Sequence, residues 1–136
     1  MARYVNIEIG SARGRLVLLD NEAPQTCEAI WQALPITDKT VPVRWSGNAW
    51  RSDGDYVLSF MGIDNKADWL KAGEVAFYPR SKKICFAYDT AQWRMPDGSL
   101  IDINLFARVD QGHEELCAES ERAHTGGSVT FRLTRG

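Results

Sequence analysis

The sequence predicts a mainly β protein, built as an antiparallel barrel or sandwich of about eight short strands with two α-helices. Two observations support this prediction: apolar residues alternate with polar ones along most of the chain, and turn residues recur about every eight to twelve residues. Helical spacing of apolar residues appears in only two segments, which are far apart in sequence. A chain of 136 residues can bury a sizeable core, and we expect a single domain over residues 1–136.

The N-terminal part of the chain predicts a β-hairpin followed by a helix. Val5, Ile7 and Ile9 alternate with polar residues, the SARG segment turns the chain, and GRLVLLD returns as a second strand. In EAPQTCEAIWQALP, Pro24 suits the first turn of a helix. Pro35 ends that helix, because the residue before a proline disfavours helical backbone angles.

The central part of the chain predicts a series of strands separated by polar turns. TVPVRW, AWRS and YVLSF are predicted strands, and IDNKADWLKAG is predicted as a loop or one irregular helical turn. In GEVAFYPRSKKICFAYD two strands flank a polar turn, with Val75 and Phe77 on the core face and Tyr78 on the opposite face. Ile84, Phe86 and Tyr88 form the next alternation.

The segment LIDINLFARV has the clearest strand pattern in the chain. Its predicted core face holds Ile101, Ile103, Leu105 and Val109, and its predicted outer face holds Asp102, Asn104, Phe106 and Arg108. A polar loop with the turn Pro-Asp-Gly precedes it. GHEELCAESERAH predicts the second helix, which the glycines at 126 and 127 should end, and VTFRL predicts a terminal strand. Two amphipathic helices would close the open ends of a barrel.

Four stretches, in their order along the chain, resemble a known group of proteins. They are EAPQTCEAIWQALP, VRWSGNAW, GEVAFYP with KICFAYD, and INLFARV, and the resemblance covers roughly residues 3 to 133. This pattern resembles a family of small bacterial and archaeal proteins of unknown function with a cyclophilin-like fold. The resemblance implies a closed eight-stranded antiparallel β-barrel capped by two α-helices, with no established biochemistry.

The resemblance does not extend to the prolyl isomerase site of true cyclophilins. Those enzymes carry a Phe-His-Arg stretch and a Phe-Met-x-Gln-Gly-Gly-Asp stretch, which place an arginine among aromatic and polar residues on the outer face of the barrel. Here SFMGID, residues 59 to 64, is a partial echo without Gln-Gly-Gly, and Phe-His-Arg is absent from the sequence. We therefore do not expect isomerase activity.

A binding site is expected on the outer strand face or at the mouth, because side chains fill the interior of an eight-stranded barrel. Pockets combine aromatic walls with a few placed polar groups. The residues that could supply both are Arg44, Trp45, Tyr78, Asn104, Phe106 and Arg108. The alternative is that Phe106 lies under a loop and Arg108 pairs with a surface carboxylate. Trp69 and Trp93 occur in loop-like segments, where they either pin a loop to the barrel or stand over a cavity.

Charge, cysteine spacing and the N-terminal sequence limit the expected partners, cofactors and location of the protein. A formal net charge of −2 and a pI near 5.7 argue against nucleic acid and membrane surfaces as partners. The N-terminus lacks a signal-peptide pattern and the three cysteines are widely spaced, so we expect a reduced, cytoplasmic protein. His113, Cys117 and His124 share one side of the second helix but lack a fourth ligand, so neither metal nor cofactor is expected.

Three hypotheses about function remain open at this point. The first is a module that binds a small organic acid or a peptide on the outer aromatic face or mouth of the barrel. The second is an enzyme for a small metabolite, with Arg44 or Arg108 as anion anchor, because an arginine fork binds carboxylates with two hydrogen bonds. The third is a structural subunit that forms homo-oligomers through an edge strand.

Overall fold

The computed structural model describes residues 2–43 and 46–136. The strands and helices of this part of the chain are β1 (Tyr4–Ile9), β2 (Ala12–Leu18), α1 (Pro24–Ala33), β3 (Ile36–Pro42), β4 (Gly47–Ser52), β5 (Lys66–Ala67), β6 (Trp69–Leu70), β7 (Glu74–Tyr78), β8 (Lys83–Gln92), β9 (Ile103–Gln111), α2 (His113–Gly126) and β10 (Thr130–Arg135).

Within the described residues, eight antiparallel strands close into a barrel. Their order is β2-β1-β10-β3-β4-β8-β7-β9, and β9 pairs again with β2, so the sheet returns to its first strand. The two-residue strands β5 and β6 add to β9 and β8 from outside this circuit. The predicted mainly β class and the closed eight-stranded barrel with two helices are confirmed.

The barrel interior is a continuous hydrophobic core to which all eight barrel strands contribute. Phe77, Phe86, Phe106 and Phe131 are among its largest fully buried side chains. Trp50 stacks on Phe86 with ring centroids 5.5 Å apart. All of these side chains point into the barrel, and burial of each large side chain contributes about 2–3 kcal/mol to folding.

The two helices lie at opposite ends of β2. At one end, the Cys27 thiol of α1 donates to the backbone oxygen of Phe106 over 3.2 Å. At the other end, α2 lies against the turn between β1 and β2, where the Ser11 N–H donates to the Glu119 carboxylate over 3.2 Å. Trp50 Nε1–H donates to Ser120 Oγ over 3.0 Å and ties α2 to the core.

A second hydrophobic cluster covers the outside of four neighbouring strands. Its strand residues come from β4, β8, β7 and β9 and alternate with the inward residues of those strands. Leu70, Trp93 and Ile101 lie over them from outside the barrel strands or at their edge, and all three are buried. This part of the outer barrel surface is therefore a packed interface beneath a covering segment.

A β-bulge in β9 changes the predicted faces of that strand. Val75 pairs with Ala107 while Ala76 pairs with Leu105, so Phe106 is an extra residue between the two pairs. The outer-face prediction for Phe106 is wrong, because this residue is 1% exposed and belongs to the interior core. Asn104 pairs with the inward Phe77 and is likewise on the inner side.

Two shorter predictions also differ from the structure. Residues 56 to 60, YVLSF, form no strand, and they are held as a loop in which the Tyr56 hydroxyl donates to Asp38 over 2.6 Å. The segment IDNKADWLKAG contains the short strands β5 and β6 instead of a helical turn. Among the described residues, no helix is long and apolar enough to cross a membrane.

Candidate functional site

A cavity of about 220 Å³ lies on the outer side of β4, β8 and β7. Arg51, Tyr78 and Cys85 line it from the barrel, and Trp93 and Arg94 line it from the segment that follows β8. We call this space the arginine cavity. It lies on the outer side of the barrel, and Tyr78 is the one residue of the predicted site that lines it within the described residues.

Small side chains on the barrel leave room for this cavity and for its cover. Ala49 pairs with Ala87 across β4 and β8, and Ala76 pairs with Cys85 across β7 and β8. All four are fully buried on the outer side of their strands. Because none of these side chains reaches far from the sheet, the indole of Trp93 can approach the barrel and close one side of the cavity.

Residues 93–101, which we call the cover hairpin, form the outer boundary of the arginine cavity. The Ile101 N–H donates to the backbone oxygen of Trp93 over 3.1 Å, and the Met95 N–H donates to that of Ser99 over 2.8 Å. The Ser99 hydroxyl donates to Asp97 over 2.7 Å, which fixes the predicted Pro-Asp-Gly turn. These bonds give the cavity an ordered outer wall.

Neither arginine of the cavity forms an ion pair with a carboxylate of the described residues. Arg51 Nη1 donates to the backbone oxygen of Ser52 over 3.0 Å, and the guanidinium of Arg94 contacts the side-chain oxygen of Gln92. No carboxylate of residues 2–43 or 46–136 lies within 4.0 Å of either guanidinium. Donors that are charged and only partly used favour an anionic ligand group.

Lys83 also lines the arginine cavity, but its charge is already compensated. Its Nζ lies 2.6 Å from Asp55 Oδ1 and donates to the backbone oxygen of Asp53 over 2.7 Å. The hydrogen bond from Lys83 lowers the pKa of the Asp55 carboxyl, so this carboxyl is ionised near neutral pH. The positive charge available to a ligand therefore comes from Arg51 and Arg94.

The cavity offers little for acid–base or nucleophilic chemistry. Burial raises the pKa of the Cys85 thiol well above its ordinary value, which leaves the thiol protonated and a poor nucleophile. The described residues that line the cavity include no histidine, aspartate or glutamate. The arrangement can bind and orient an anion, but it lacks a general base within the described lining.

A second depression, which we call the side groove, adjoins the arginine cavity. It has a volume of about 470 Å³ and is lined partly by Met61, Ile63 and Leu100. Tyr78 and Ile101 line both spaces and form their common wall. The Tyr78 hydroxyl lies 3.8 Å from the sulfur of Met95 and donates to it, which holds the phenol against the cover hairpin.

The predicted site residues are divided between several places. Tyr78 lines both the cavity and the groove, as an outward residue of β7. Asn104 is buried, donates to the backbone oxygen of Gly62 over 2.7 Å, and serves the neighbouring loop. Phe106 is a core residue. Arg108 Nη2 lies 3.6 Å from Glu74 Oε2, which is the surface pairing that the sequence left open as an alternative.

The predictions for Arg44 and Trp45 lie outside the described residues. Arg51 and Arg94 were missed. Arg51 carried a usable signal, because Trp50 is a core residue and strand alternation then places Arg51 on the outer face. Arg94 carried none, since it lies in a segment with no periodic pattern. Trp93, expected either to pin a loop or to stand over a cavity, does both.

No metal centre is evident in the part of the chain that the structure describes. Groups of three or more histidine, cysteine, aspartate or glutamate side chains placed to hold an ion do not occur there. The Tyr88 hydroxyl lies 2.7 Å from Nδ1 of His124, so this histidine is engaged with the barrel.

A known family matches almost the whole chain. Residues 5–135 match the family described as protein of unknown function, DUF3830. The chain belongs to the DUF3830 family. The expectation of a family of unknown function with a barrel fold is thereby confirmed. Curated proteins give no match.

Several solved structures match the fold of this chain, including two that align over nearly all of it. One is the solution structure of a hypothetical protein from Archaeoglobus fulgidus, with a TM-score of 0.58 and 19% identity over 99% of this DUF3830 chain and 95% of the archaeal one. The other is McbB in complex with tryptophan, with a TM-score of 0.74 and 16% identity. That alignment covers 96% of this chain but 44% of McbB, so the chain spans less than half the length of McbB.

Proposed function

We propose that this DUF3830 protein is a binding module for a small organic acid, held in the arginine cavity. The observation that carries the proposal is the pair Arg51 and Arg94, two guanidinium groups without a carboxylate partner among the described residues, beside an aromatic wall. A carboxylate would accept charge-assisted hydrogen bonds from the arginines while its apolar part packs on Tyr78 and Trp93.

The fold neighbours are compatible with this proposal. Tryptophan, the molecule in the McbB complex, joins a carboxylate to an aromatic ring, which are the two features that the arginine cavity suits. At 16% identity the likeness shows a common fold, so the support for an organic acid comes from the side chains of the cavity itself.

Binding without catalysis is favoured over an enzyme. The described cavity lining supplies cations and aromatic rings, but no histidine, aspartate or glutamate side chain that could move a proton. The thiol of Cys85 is kept protonated by burial and cannot serve as a nucleophile near neutral pH. An arginine that anchors an anion fits both a binding module and an enzyme. An enzyme would also need a general base, which the described cavity lining lacks.

The test compares an acid with its neutral analogue by isothermal titration calorimetry. Indole-3-acetate and tryptophan are titrated into the purified protein, and indole-3-acetamide serves as the analogue without a carboxylate. We expect both acids to bind and the amide to bind at least about tenfold more weakly, because it cannot form charge-assisted hydrogen bonds with the arginines. Equal affinity of the acid and the amide, or no binding of either acid, would overturn the proposal.

Variants assign the binding to the cavity. Arg51→Gln and Arg94→Gln should each weaken indole-3-acetate binding about tenfold, since each removes a charged donor. Arg132→Gln is the matched control, because Arg132 is exposed on β10 and does not line the cavity. Arg44→Gln and Arg108→Gln test the anchors that the sequence suggested. If only Arg108→Gln weakens indole-3-acetate binding, the binding site lies outside the arginine cavity.

Analytical ultracentrifugation examines the structural alternative. A structural subunit would show a mass that rises with protein concentration and no heat with any of the acids. This outcome would favour a structural subunit over a binding module. A binding module would bind the organic acids whether it sediments as a monomer or as an oligomer.

A further inference from the structure

The arginine cavity is smaller than a typical small-molecule pocket. Its volume of about 220 Å³ falls below the range of about 300–1,000 Å³ that small-molecule pockets occupy. The side groove, at about 470 Å³, lies directly beyond the common wall formed by Tyr78 and Ile101. A ligand with its anionic group at the arginines and an apolar part too long for the cavity would continue along this wall.

The side groove presents apolar side chains that a ligand could cover. Ile63 is 45% exposed and Leu100 is 56% exposed, and both line the groove together with Met61 and Pro79. Large aliphatic side chains left exposed at the edge of a groove gain most from an apolar partner, because contact removes their surface from water. Because these side chains lie beyond Arg51 and Arg94, a bound ligand would have its anionic group at one end and its hydrocarbon part at the other.

We infer that the ligand is an elongated amphipathic monocarboxylate whose hydrocarbon part lies in the side groove between Ile63 and Leu100. This inference rests on the proposed function and specifies the substrate class of the same site. The carboxylate lies between Arg51 and Arg94, and the chain passes the ring of Tyr78.

The side groove also contains two charged residues, which define the competing ligand class. Arg80 and Asp102 line it, and Asp102 Oδ1 is 3.6 Å from Lys66 Nζ. Arg80 could receive a second carboxylate at the far end of a ligand. The main alternative to a monocarboxylate ligand is therefore a dicarboxylate of the same chain length.

The experiment is a chain-length series in the wild-type protein. Propionate, hexanoate, octanoate and decanoate are titrated by calorimetry below their micellar concentrations, with suberate as the dicarboxylate partner of octanoate. Affinity should rise about fourfold for each added methylene that enters the groove, as expected when each CH₂ leaves water, and should level off when the groove is full. Octanoate should bind more tightly than suberate.

Two serine variants locate the hydrocarbon part. Ile63→Ser and Leu100→Ser should each reduce decanoate affinity about tenfold. Propionate is too short to reach these side chains, so its affinity should not change. Val57→Ser is the control, because Val57 is 77% exposed and lines neither the cavity nor the groove. Arg51→Gln should weaken every member of the series equally. Thermal unfolding confirms that each variant is folded.

The possible failures are distinguishable. If propionate and decanoate bind equally and both depend on Arg51, the arginine cavity binds acids but the elongated ligand is wrong. If suberate binds more tightly than octanoate, the groove selects a second anion instead of hydrocarbon. If no acid binds at all, the proposed function itself is wrong and the inference is overturned with it.

Discussion

The backbone N–H of Asp64 donates a hydrogen bond of 2.8 Å to the side-chain oxygen of Asn104. The same oxygen accepts from the Asn65 N–H over 3.1 Å, and the amide nitrogen of Asn104 donates to the Gly62 oxygen over 2.7 Å. One buried side chain on β9 therefore fixes the backbone of residues 62 to 65. Ile63, on the wall of the side groove, lies within this stretch.

Asp64 in turn caps helix α1 from a distance. Its carboxylate accepts hydrogen bonds from the N–H groups of Gln25, over 2.8 Å, and Thr26, over 3.1 Å. The residue at the N-cap position of α1 is Ala23, which has no side-chain acceptor. Free N–H groups at a helix start need such a partner, so the loop that Asn104 holds supplies it.

We expect Asn104→Ala to lower the free energy of unfolding by about 2–4 kcal/mol, because three backbone groups lose their partner in a buried place. Urea unfolding followed by circular dichroism measures the change. Asp102→Ala is the matched control two residues earlier, where an exposed carboxylate should matter by less than about 1 kcal/mol. Equal losses in the two variants would show that Asn104 does not anchor the loop.

Phe106 provides a separate test of the β9 bulge. Because its ring is fully buried in the barrel core, Phe106→Ala should destabilise the protein by about 3–5 kcal/mol. Val57→Ala, at an exposed loop position, should change stability by less than about 0.5 kcal/mol. A Phe106→Ala protein that unfolds at the wild-type urea concentration would place the ring on the outer surface, as the uninterrupted alternation had predicted.

The alternation in β7 and β8 was read correctly from the sequence, whereas that in β9 was not. Val75, Phe77 and Phe86 are inward as predicted, because β7 and β8 pair with each other without a register shift over these residues. In β9 the bulge at Phe106 adds one residue, and a shift of one residue exchanges the two faces. No pattern in LIDINLFARV marks the insertion, since hydrophobic residues occupy both faces of a strand that is covered on both sides.

The candidate site was only partly predictable for a related reason. Tyr78 follows from alternation, but the cavity exists because residues 93–101 fold back over the outer barrel face. That contact is determined by tertiary packing of Trp93 on small side chains of β4, β7 and β8. Similarly, YVLSF has the composition of a strand, yet Asp38 on β3 holds Tyr56 and the Gly54 N–H in a loop.

The stability of this loop should depend on pH through Asp38. Burial alone would raise the pKa of the Asp38 carboxyl, but the hydrogen bond from Tyr56 and those from the Lys39 and Gly54 N–H groups outweigh it and lower the pKa. A carboxyl whose pKa is lower in the folded state stabilises the protein above its unfolded pKa of about 3.9, and that contribution is lost as pH falls through the folded value.

We therefore expect the cost of Asp38→Asn to be larger at neutral pH than at pH values below about 3, where wild-type Asp38 is protonated. Urea unfolding of the wild type and the variant across this range gives the difference at each pH. Glu121→Gln, at an exposed position on α2, controls for the loss of a charge. A cost that stays constant from neutral to acidic pH would mean that the ionised form of Asp38 contributes nothing.

The three cysteines should differ in reactivity according to their burial. Burial raises the pKa of all three thiols, to about 12 for Cys27 and about 11 for the half-buried Cys117, and further for Cys85. With a pKa of about 11, about a thousandth of the Cys117 thiol is ionised at pH 8, and only the thiolate reacts. Cys27 and Cys85 are in addition fully buried and closed to a reagent.

Titration of the native protein with Ellman's reagent should accordingly show one slow thiol, and guanidinium chloride should release all three. Cys117→Ser should abolish the slow native reaction and leave two thiols after unfolding, while Cys27→Ser should leave the native reaction unchanged. Because Cys85 lines the arginine cavity, its rate in the native protein also reports how tightly the cover hairpin is closed. A second thiol that reacts rapidly at neutral pH would show that the cavity opens to solvent, and the description of Cys85 as a protonated, inert thiol would be wrong.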